Sequence, residues 1–474
     1  MKILFITTNF IIEPLGIMYL SGSLKKQGHK VSILKILHKE YEKKALTKMK
    51  KPPEEVIYTE KYLIKKIKEI KPDIIAYSVT TGMHQFYLNL NRDIKRQIFC
   101  YSVFGGPHPT FFPRMIHEDG VDAICIGEGE EAFVEFAGVL QKGGSLKKIK
   151  NFWVKEDGRI FRNEVRPLIQ NLDKIPFPDR EIIYQFSTSL KNPIKNFFCI
   201  RGCPYNCTYC FNHAYYEIYR KKGQRIRIRS VENVLKEIKE VKKRYPLEVV
   251  YFQDDTFILS RSWLENLLKR YKKEIDLPYH CHIRANLVTE DIIELLKDTG
   301  CLSVTLALET ADDYLRNKML KRNMSLDQIH QACRLLRKYR IRFRAENMVG
   351  LPGGNLKTAL ETLRMNIKCK PDIGWASLYQ PYMGTELGEF CFQKKMAPRD
   401  LDNIMPSFFE TSILNLKHKK QIENLQKLFS ITVELPFLLP LVRLLIHLPP
   451  NRVFNWIYKT WKRYCYNHRL YKPK

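Results

Sequence analysis

Cys203, Cys207 and Cys210 stand on one short stretch with the spacing C-x3-C-x2-C. Three thiolates so close in sequence can hold three irons of a [4Fe–4S] cluster. No fourth cysteine follows at a plausible spacing. One iron would then lack a protein ligand and stay open to a substrate or cofactor, whereas an electron-transfer cluster usually has four cysteines. A zinc site is the alternative, but zinc loops mostly read C-x2-C and come in pairs. No second pair exists in this chain.

The elements around that loop repeat. From residue 196 to about 390, candidate strands at 196–200, 249–252, 279–283, 303–308, 342–349 and 373–379 alternate with helical runs such as 231–244 and 325–339. Six such units predict a partial (βα)6 TIM-like barrel, in which function gathers at the carboxyl ends of the strands. Polar residues fall there: Gln253-Asp254-Asp255, Arg284-Ala285-Asn286, Glu309-Thr310, and the turn that holds Gly350. Some of these are equally readable as rim salt bridges. Cys199, four residues before Cys203, reads as a core thiol.

The first 145 residues also alternate strand and helix, with strands expected at 3–7, 31–34, 73–79, 99–104 and 123–126 and a first helix at 16–27 closed by Gly28. Short apolar strands with helices between them predict a doubly wound, Rossmann-like parallel sheet. Ligands of such sheets sit beyond the carboxyl ends of the strands. Ser78-Val79-Thr80-Thr81-Gly82, Gly105-Gly106-Pro107-His108-Pro109-Thr110 and Gly127-Glu128-Gly129-Glu130 fall there. Residues 146–193 read as a linker, with an Asp157-Gly158 hairpin and a stretch, Pro176-Phe177-Pro178, that excludes a regular helix. The expected division is therefore 1–145, a linker at 146–193, a barrel at 194–395 and a helical extension at 396–474.

The cysteine loop resembles the signature of the radical S-adenosylmethionine (SAM) enzymes. The resemblance implies that SAM chelates the open iron, that Tyr209 lies near its adenine, and that a reduced cluster cleaves SAM to a 5′-deoxyadenosyl radical. Arg284 then suits the methionine carboxylate, because guanidinium and carboxylate pair through two parallel bonds, and Glu309 suits the ribose hydroxyls. Gln253 and Asp254 replace the Gly-Gly-Glu of many members, and Gly350 completes the implied SAM set. The first domain resembles the cobalamin-binding domain found ahead of many radical SAM domains. That resemblance implies cobalamin contacts from Ser78, Thr80, Gly105, Gly106, His108, Gly127 and Glu128. Glycine suits such positions because backbone must approach a bulky ligand closely. One departure concerns cobalt. The Asp-x-His-x-x-Gly of the mutases is absent, since Thr8-Asn9-Phe10-Ile11-Ile12-Glu13 offers no histidine there. His108 is a candidate contact but is not read as a cobalt ligand.

Composition frames the rest. The chain has 474 residues, 45% hydrophobic content and 12 cysteines, mostly scattered singly, which points to a reducing compartment and two or three domains. The net charge of +30 is spread over lysine-rich helix faces and, with no nucleic-acid module, does not call for nucleic acid. The N-terminus reads as a strand and not a signal peptide, so a cytoplasmic protein is expected, with peripheral contact at the inner membrane face as an option. From Lys417 onward the charge is unbalanced, and the apolar run 435–448 is too short to span a bilayer. It reads as a helical cap or as a membrane-interface segment. The combined expectation is a cobalamin-dependent radical SAM methyltransferase acting on an unactivated carbon. Its substrate would be a small or lipid-linked molecule, and its electron source an external flavodoxin- or ferredoxin-like reductant. Cyclisation, oxidation or rearrangement without methyl transfer is the alternative within that chemistry. A non-catalytic redox or cobalamin sensor is the alternative outside it.

Overall fold

The computed structural model describes residues 1–8, 13–36, 57, 59–400, 402, 404, 407–465 and 470. They form two compact units, one of residues 1–192 with 217–224, the other of 193–216 with 225–474.

The first unit is built on a seven-stranded sheet. Its strands are β1 (Lys2–Thr7), β2 (Lys30–Lys35), β3 (Ile74–Ser78), β4 (Tyr101–Gly105), β5 (Ala123–Cys125), β6 (Phe152–Glu156) and β7 (Arg159–Arg162), in the order β2-β1-β3-β4-β5-β6-β7. The first five pair in parallel. The apolar runs of β1, β3, β4 and β5 are buried along nearly their whole length, as strands covered on both faces must be, while the edge strand β2 is only partly buried. The order 2-1-3-4-5 is that of doubly wound sheets whose ligands sit where strand order reverses, beside β1 and β3.

The hairpin β6–β7 continues this sheet antiparallel to β5, so residues 146–192 belong to the first unit. Its turn uses Asp157 and Gly158, with φ of 52° and 69°; two left-handed residues match the twist of the flanking strands. The proline stretch is pinned to the first helix, Leu15–Lys26. Asp179 accepts from Ser21 Oγ at 2.6 Å and pairs with Lys25 Nζ at 2.7 Å. A Cβ on Gly22 would lie 2.5 Å from the Phe177 carbonyl oxygen, so only glycine lets the stretch approach. A buried pair, Arg180–Glu13 at 3.2 Å, closes the contact, with Tyr184 donating to the same carboxylate.

The second unit holds a six-stranded parallel sheet. Its members are β8 (Ile194–Phe197), β11 (Val249–Phe252), β12 (Tyr279–Ile283), β13 (Cys301–Glu309), β14 (Arg342–Val349) and β15 (Ile373–Leu378), in the order β15-β14-β13-β12-β11-β8. A short antiparallel pair, β9 (Ile200–Arg201) and β10 (Arg227–Ile228), stands apart. The strand expected at 196–200 is therefore two pieces. The Asp254 carboxylate accepts from the Cys199 and Ile200 N–H groups at 2.8 and 2.7 Å, which removes them from the ladder and turns the chain out of the sheet.

Alternation sorts the strands by face. Val250, Phe252, Cys281, Ile283, Val304, Leu306 and Phe343 pack with helix residues such as Leu235, Leu267 and Ile293 in one core. The opposite, inner face carries Tyr251, Gln253, His280, His282, Arg284, Thr305, Glu309, Arg344 and Glu346. Cys199 is fully buried in the apolar core, as a structural thiol should be.

The extension is not a free tail. Helix Lys419–Glu434 lies along β15, the open edge. Gln426 Nε2 donates to the Ala376 carbonyl at 2.9 Å, and Leu378 N donates to the Phe408 carbonyl. A Cβ on Gly374 would meet Val433 at 2.8 Å, so glycine is what admits the helix. Among the described residues no helix is long and apolar enough to cross a membrane.

Candidate cofactor sites

In the second unit the cysteine loop leaves β9 through Gly202, whose φ is +98° and whose added Cβ would lie 2.2 Å from the Arg225 carbonyl. Arg225 then clamps the loop. It donates to Asn206 Oδ1 and to the Tyr205 carbonyl, both at 2.8 Å, and stacks on Tyr216. Thr208 ties the middle of the loop to the Met319 carbonyl at 2.6 Å. The Cys210 N–H donates to the Cys207 carbonyl, and its sulfur accepts from Asn212 N at 3.4 Å.

Burial raises the Cys203 thiol and pushes Cys210 up to about 12, so iron must displace protons that burial favours. Two arginines place positive charge at the middle cysteine: Arg284 Nη1 and Arg322 Nη1 approach the Cys207 sulfur at 3.7 and 3.9 Å. Among the described residues no three His, Cys, Asp or Glu side chains converge on a single ion, as a tetrahedral zinc site requires. Thiolates that each take a different iron need not converge. The donor set therefore fits a cluster.

Behind the loop stands a buried group of three side chains. Tyr209 Oη donates to Glu309 Oε1 at 2.8 Å, Arg322 Nη1 donates to Tyr209 Oη at 3.1 Å, and Arg322 lies 3.9 Å from the Glu309 carboxylate. Glu309 sits at the end of β13 just past a register shift, with a φ of +68°. A non-glycine residue held there stores strain, a feature that clusters at functional sites. Burial raises the Glu309 carboxyl, with Arg322 opposing. Burial works against the Arg322 charge, but Tyr209, Glu309 and Cys207 more than restore it. Arg284 lies over the Tyr205 ring at 3.7 Å, and its named bonds to Asn286, Cys207 and the Arg322 carbonyl use three of its five N–H groups. The remainder suits a carboxylate beside Cys207.

Tyr209, Arg284 and Glu309 are thus brought together around Cys207. Gln253 and Asp254 are held on the β8 side. Gln253 donates to Asn196 Oδ1 at 2.9 Å. Asp254, fully buried and pushed up to about 7 by desolvation, anchors the strand break. Gly350 ends β14 with a φ of +71°, where Leu416 of the extension approaches. Further down the inner face Tyr251 Oη and His282 Nε2 are 2.8 Å apart, and burial holds that imidazole neutral, at about 4.

In the first unit the three expected loops meet at the carboxyl ends of β3, β4 and β5. Ser78 and Thr80 are exposed. Gly106 has a φ of +92°, and a Cβ there would lie 2.9 Å from Val79 N. The neighbouring loop therefore demands glycine before any ligand does. The Gly105 carbonyl accepts from Val79 N at 2.8 Å. The His108 ring is buried, bonded to Thr81 Oγ1 at 3.1 Å and stacked on His84 at 4.1 Å, which gives it a packing role. Thr110 Oγ1 joins two of the loops, donating to the Gly106 carbonyl and accepting from Gly127 N. Gly127, φ +79°, has no room for a Cβ, which would fall 1.8 Å from Tyr219 Oη. That same hydroxyl accepts from Glu128 N at 2.9 Å, while the Glu128 carboxylate accepts from Ile169 N. The exposed hydroxyls and bare backbone at this sheet end fit a large ligand met by main chain.

Comparison with known proteins decides the family. A model of the radical SAM superfamily matches residues 197–365, and a model of the B12 binding domain matches residues 1–137. The chain belongs to the radical SAM enzymes that carry a B12-binding domain. Its cofactors are a [4Fe–4S] cluster, SAM and cobalamin. It is 28% identical over 390 residues to an uncharacterized methyltransferase of Pyrococcus horikoshii, covering 81% of this chain and 79% of that one. It is 25% identical over 338 residues to the anaerobic magnesium-protoporphyrin IX monomethyl ester cyclase of Rubrivivax gelatinosus, covering 68% and 59%. Its fold is similar to that of the radical SAM methyltransferase TsrM of Kitasatospora setae, solved with cobalamin and a [4Fe–4S] cluster bound. The TM-score is 0.65 at 17% identity, over 87% of this chain and 82% of that one.

Arg322, Arg225, Thr110 and Tyr219 hold these sites together and were not singled out by sequence reasoning. Arg322 and Tyr219 lie in basic runs, Lys321-Arg322 and Tyr219-Arg220-Lys221-Lys222, that look like solvated turns. Thr110 lies inside the Gly-Gly-Pro-His-Pro-Thr segment, and its place there was the available signal.

Proposed function

We propose that this enzyme methylates an unactivated carbon of a small or lipid-linked substrate, using electrons from an external flavodoxin- or ferredoxin-like protein. The observation that carries the reading is the pairing in one chain of an arginine-flanked three-thiolate loop with a glycine-walled sheet end. When bound, the cluster, SAM and cobalamin supply one-electron chemistry and a transferable methyl group. The chain's residues do the positioning. Arg284 and Arg322 place positive charge beside Cys207. Glu309 and Tyr209 form one rigid, buried hydrogen-bonded unit with Arg322. Tyr251, His282 and Glu346 give the inner face of the half-barrel a polar lining that can orient a substrate. A pure sensor has no need of that lining, which favours catalysis. The site of action is proposed to be the cytoplasm, with peripheral membrane contact through the extension.

The test uses anaerobically reconstituted protein, a chemical reductant and SAM carrying a deuterated methyl group, with extracts of the source cells as substrate pool. Methylation predicts both 5′-deoxyadenosine and a product that carries the label. Deoxyadenosine with an unlabelled product would point to cyclisation, oxidation or rearrangement instead. Neither product would favour the sensor.

A further inference from the structure

The extension has two faces, and only one is used by the fold. Helices Leu439–Leu445 and Arg452–Cys465 pack on helix Lys419–Glu434. Val442, Ile446 and Phe454 are buried there with Ile422, Leu425 and Phe429. The other side is apolar as well. Leu441 and Leu444 lie three residues apart on one side of helix Leu439–Leu445, with Phe437 exposed in the short 3-10 turn before it and Leu448 exposed just past its end. Phe437 is 74% exposed and Leu444 72%, and across the turn Val453 and Trp456 are exposed at 60% and 64%. Of the eleven exposed large hydrophobic side chains among the described residues, seven lie between Phe437 and Tyr464. Such concentration marks an interaction surface.

Charge identifies the partner. Between Leu435 and Lys474 the sequence has eight lysines and arginines and no aspartate or glutamate. Arg443, Arg452, Lys459 and Arg463 are exposed on these same two helices. A second copy of the chain would set this face against itself across a two-fold axis, cation against cation. An anionic bilayer offers the reverse: negative headgroups for the arginines and lysines, acyl chains for the exposed apolar residues, and an interface zone suited to Trp456.

We propose that the exposed apolar segment Phe437–Leu448, with Val453 and Trp456, docks the enzyme on an anionic lipid surface. The segment lies in the interface and does not cross it. This deepens, and rests on, the peripheral-contact part of the proposed function, and is independent of whether the chemistry is methylation.

The test is cosedimentation of full-length holoenzyme with phosphatidylglycerol vesicles, phosphatidylcholine vesicles and no vesicles. The expected result is binding to the anionic vesicles, much weaker binding to the neutral ones, and release at high salt as the charges are screened. Leu444→Glu should lower the partition coefficient by roughly tenfold or more, since it removes a burying leucine and adds a repelled charge. Arg452→Glu with Arg463→Glu should act similarly. Both variants should keep their iron absorbance and SAM cleavage, which report on the chemistry separately. Absence of binding to anionic vesicles would overturn the proposal, as would binding that Leu444→Glu leaves unchanged. A dimer in solution that Leu444→Glu dissolves, without vesicle binding, would reassign the face to a second copy.

Discussion

The two cofactor units hold their loops in opposite ways. In the first, the loops at the ends of β3, β4 and β5 are joined by main chain and neutral hydroxyls: Thr110 bridges Gly106 and Gly127, and Tyr219 accepts from Glu128 N. Glycine is required because protein atoms, not charges, press on the loop. In the second, the loop is held by guanidinium groups. Arg225 clamps its carbonyls, and Arg284 and Arg322 face Cys207. The contrast follows from the ligands. A bulky cofactor met over a wide surface needs space and backbone, whereas thiolates buried beside an anionic group need compensating charge. Volume should therefore be the main way to break the first site, whereas the second, though it also turns at a crowded Gly202, should be broken most by loss of its thiolates and guanidinium groups.

The largest effect is expected at the cysteines. Changing Cys203, Cys207 and Cys210 together to alanine should abolish the iron–sulfur absorbance of reconstituted protein while leaving cobalamin binding by the first unit. Cys199→Ala should keep the cluster, because that thiol is buried in the core and held well above its ordinary pKa by desolvation. Iron lost in Cys199→Ala alone would show that the ligand set is misread.

Next comes volume. Gly127→Ala drives a methyl into Tyr219 Oη at a left-handed backbone position, a defect in the class that costs about 4 kcal/mol or more. It should lower the unfolding transition of the first unit and weaken retention of hydroxocobalamin in gel filtration, with iron content unchanged. An equal loss of iron would erase the distinction between the units.

The smallest effect is a slope. The Asp254 carboxyl is raised to about 7 in the folded chain, against 3.8 as its ordinary value, because burial disfavours its charge. Between those values the folded state holds a proton that the unfolded state has released. Stability should thus fall as pH rises from about 4 to about 7 and level off above, by at most about 4 kcal/mol at roughly 1.4 kcal/mol per unit. Asp254→Asn keeps an acceptor for Cys199 N and Ile200 N and should flatten that slope in denaturant titrations. A slope of the same size in both proteins would remove Asp254 as its source.

Much of the architecture was legible in the sequence, because it is written locally. The strand at 249–252 is an apolar run, those at 279–283 and 342–349 alternate apolar with polar residues, each is bounded by turns, and Asp157-Gly158 dictates its own hairpin. The cysteine loop is a contiguous motif. What could not be read depends on residues far apart in the chain. The break after Phe197 is made by a carboxylate more than fifty residues away. Arg322 is buried only because Tyr209 and Glu309 converge on it. Tyr219 reaches Gly127 across 92 positions. The fate of the extension likewise turned on Gly374, whose missing side chain is meaningless until Val433 arrives beside it.

That arrival has an order in time. The last strand of the half-barrel ends at Leu378, but the helix that covers it is complete only at Glu434. A polypeptide grows at about 5–20 residues per second. A newly made chain therefore presents the bare hydrogen-bonding edge of β15 for roughly 3–11 seconds, in the state most prone to pair with a neighbouring nascent chain. Synthesis yield in cells, more than the stability of the finished enzyme, should be the property most sensitive to changes at Gly374, Gln426 and Val433.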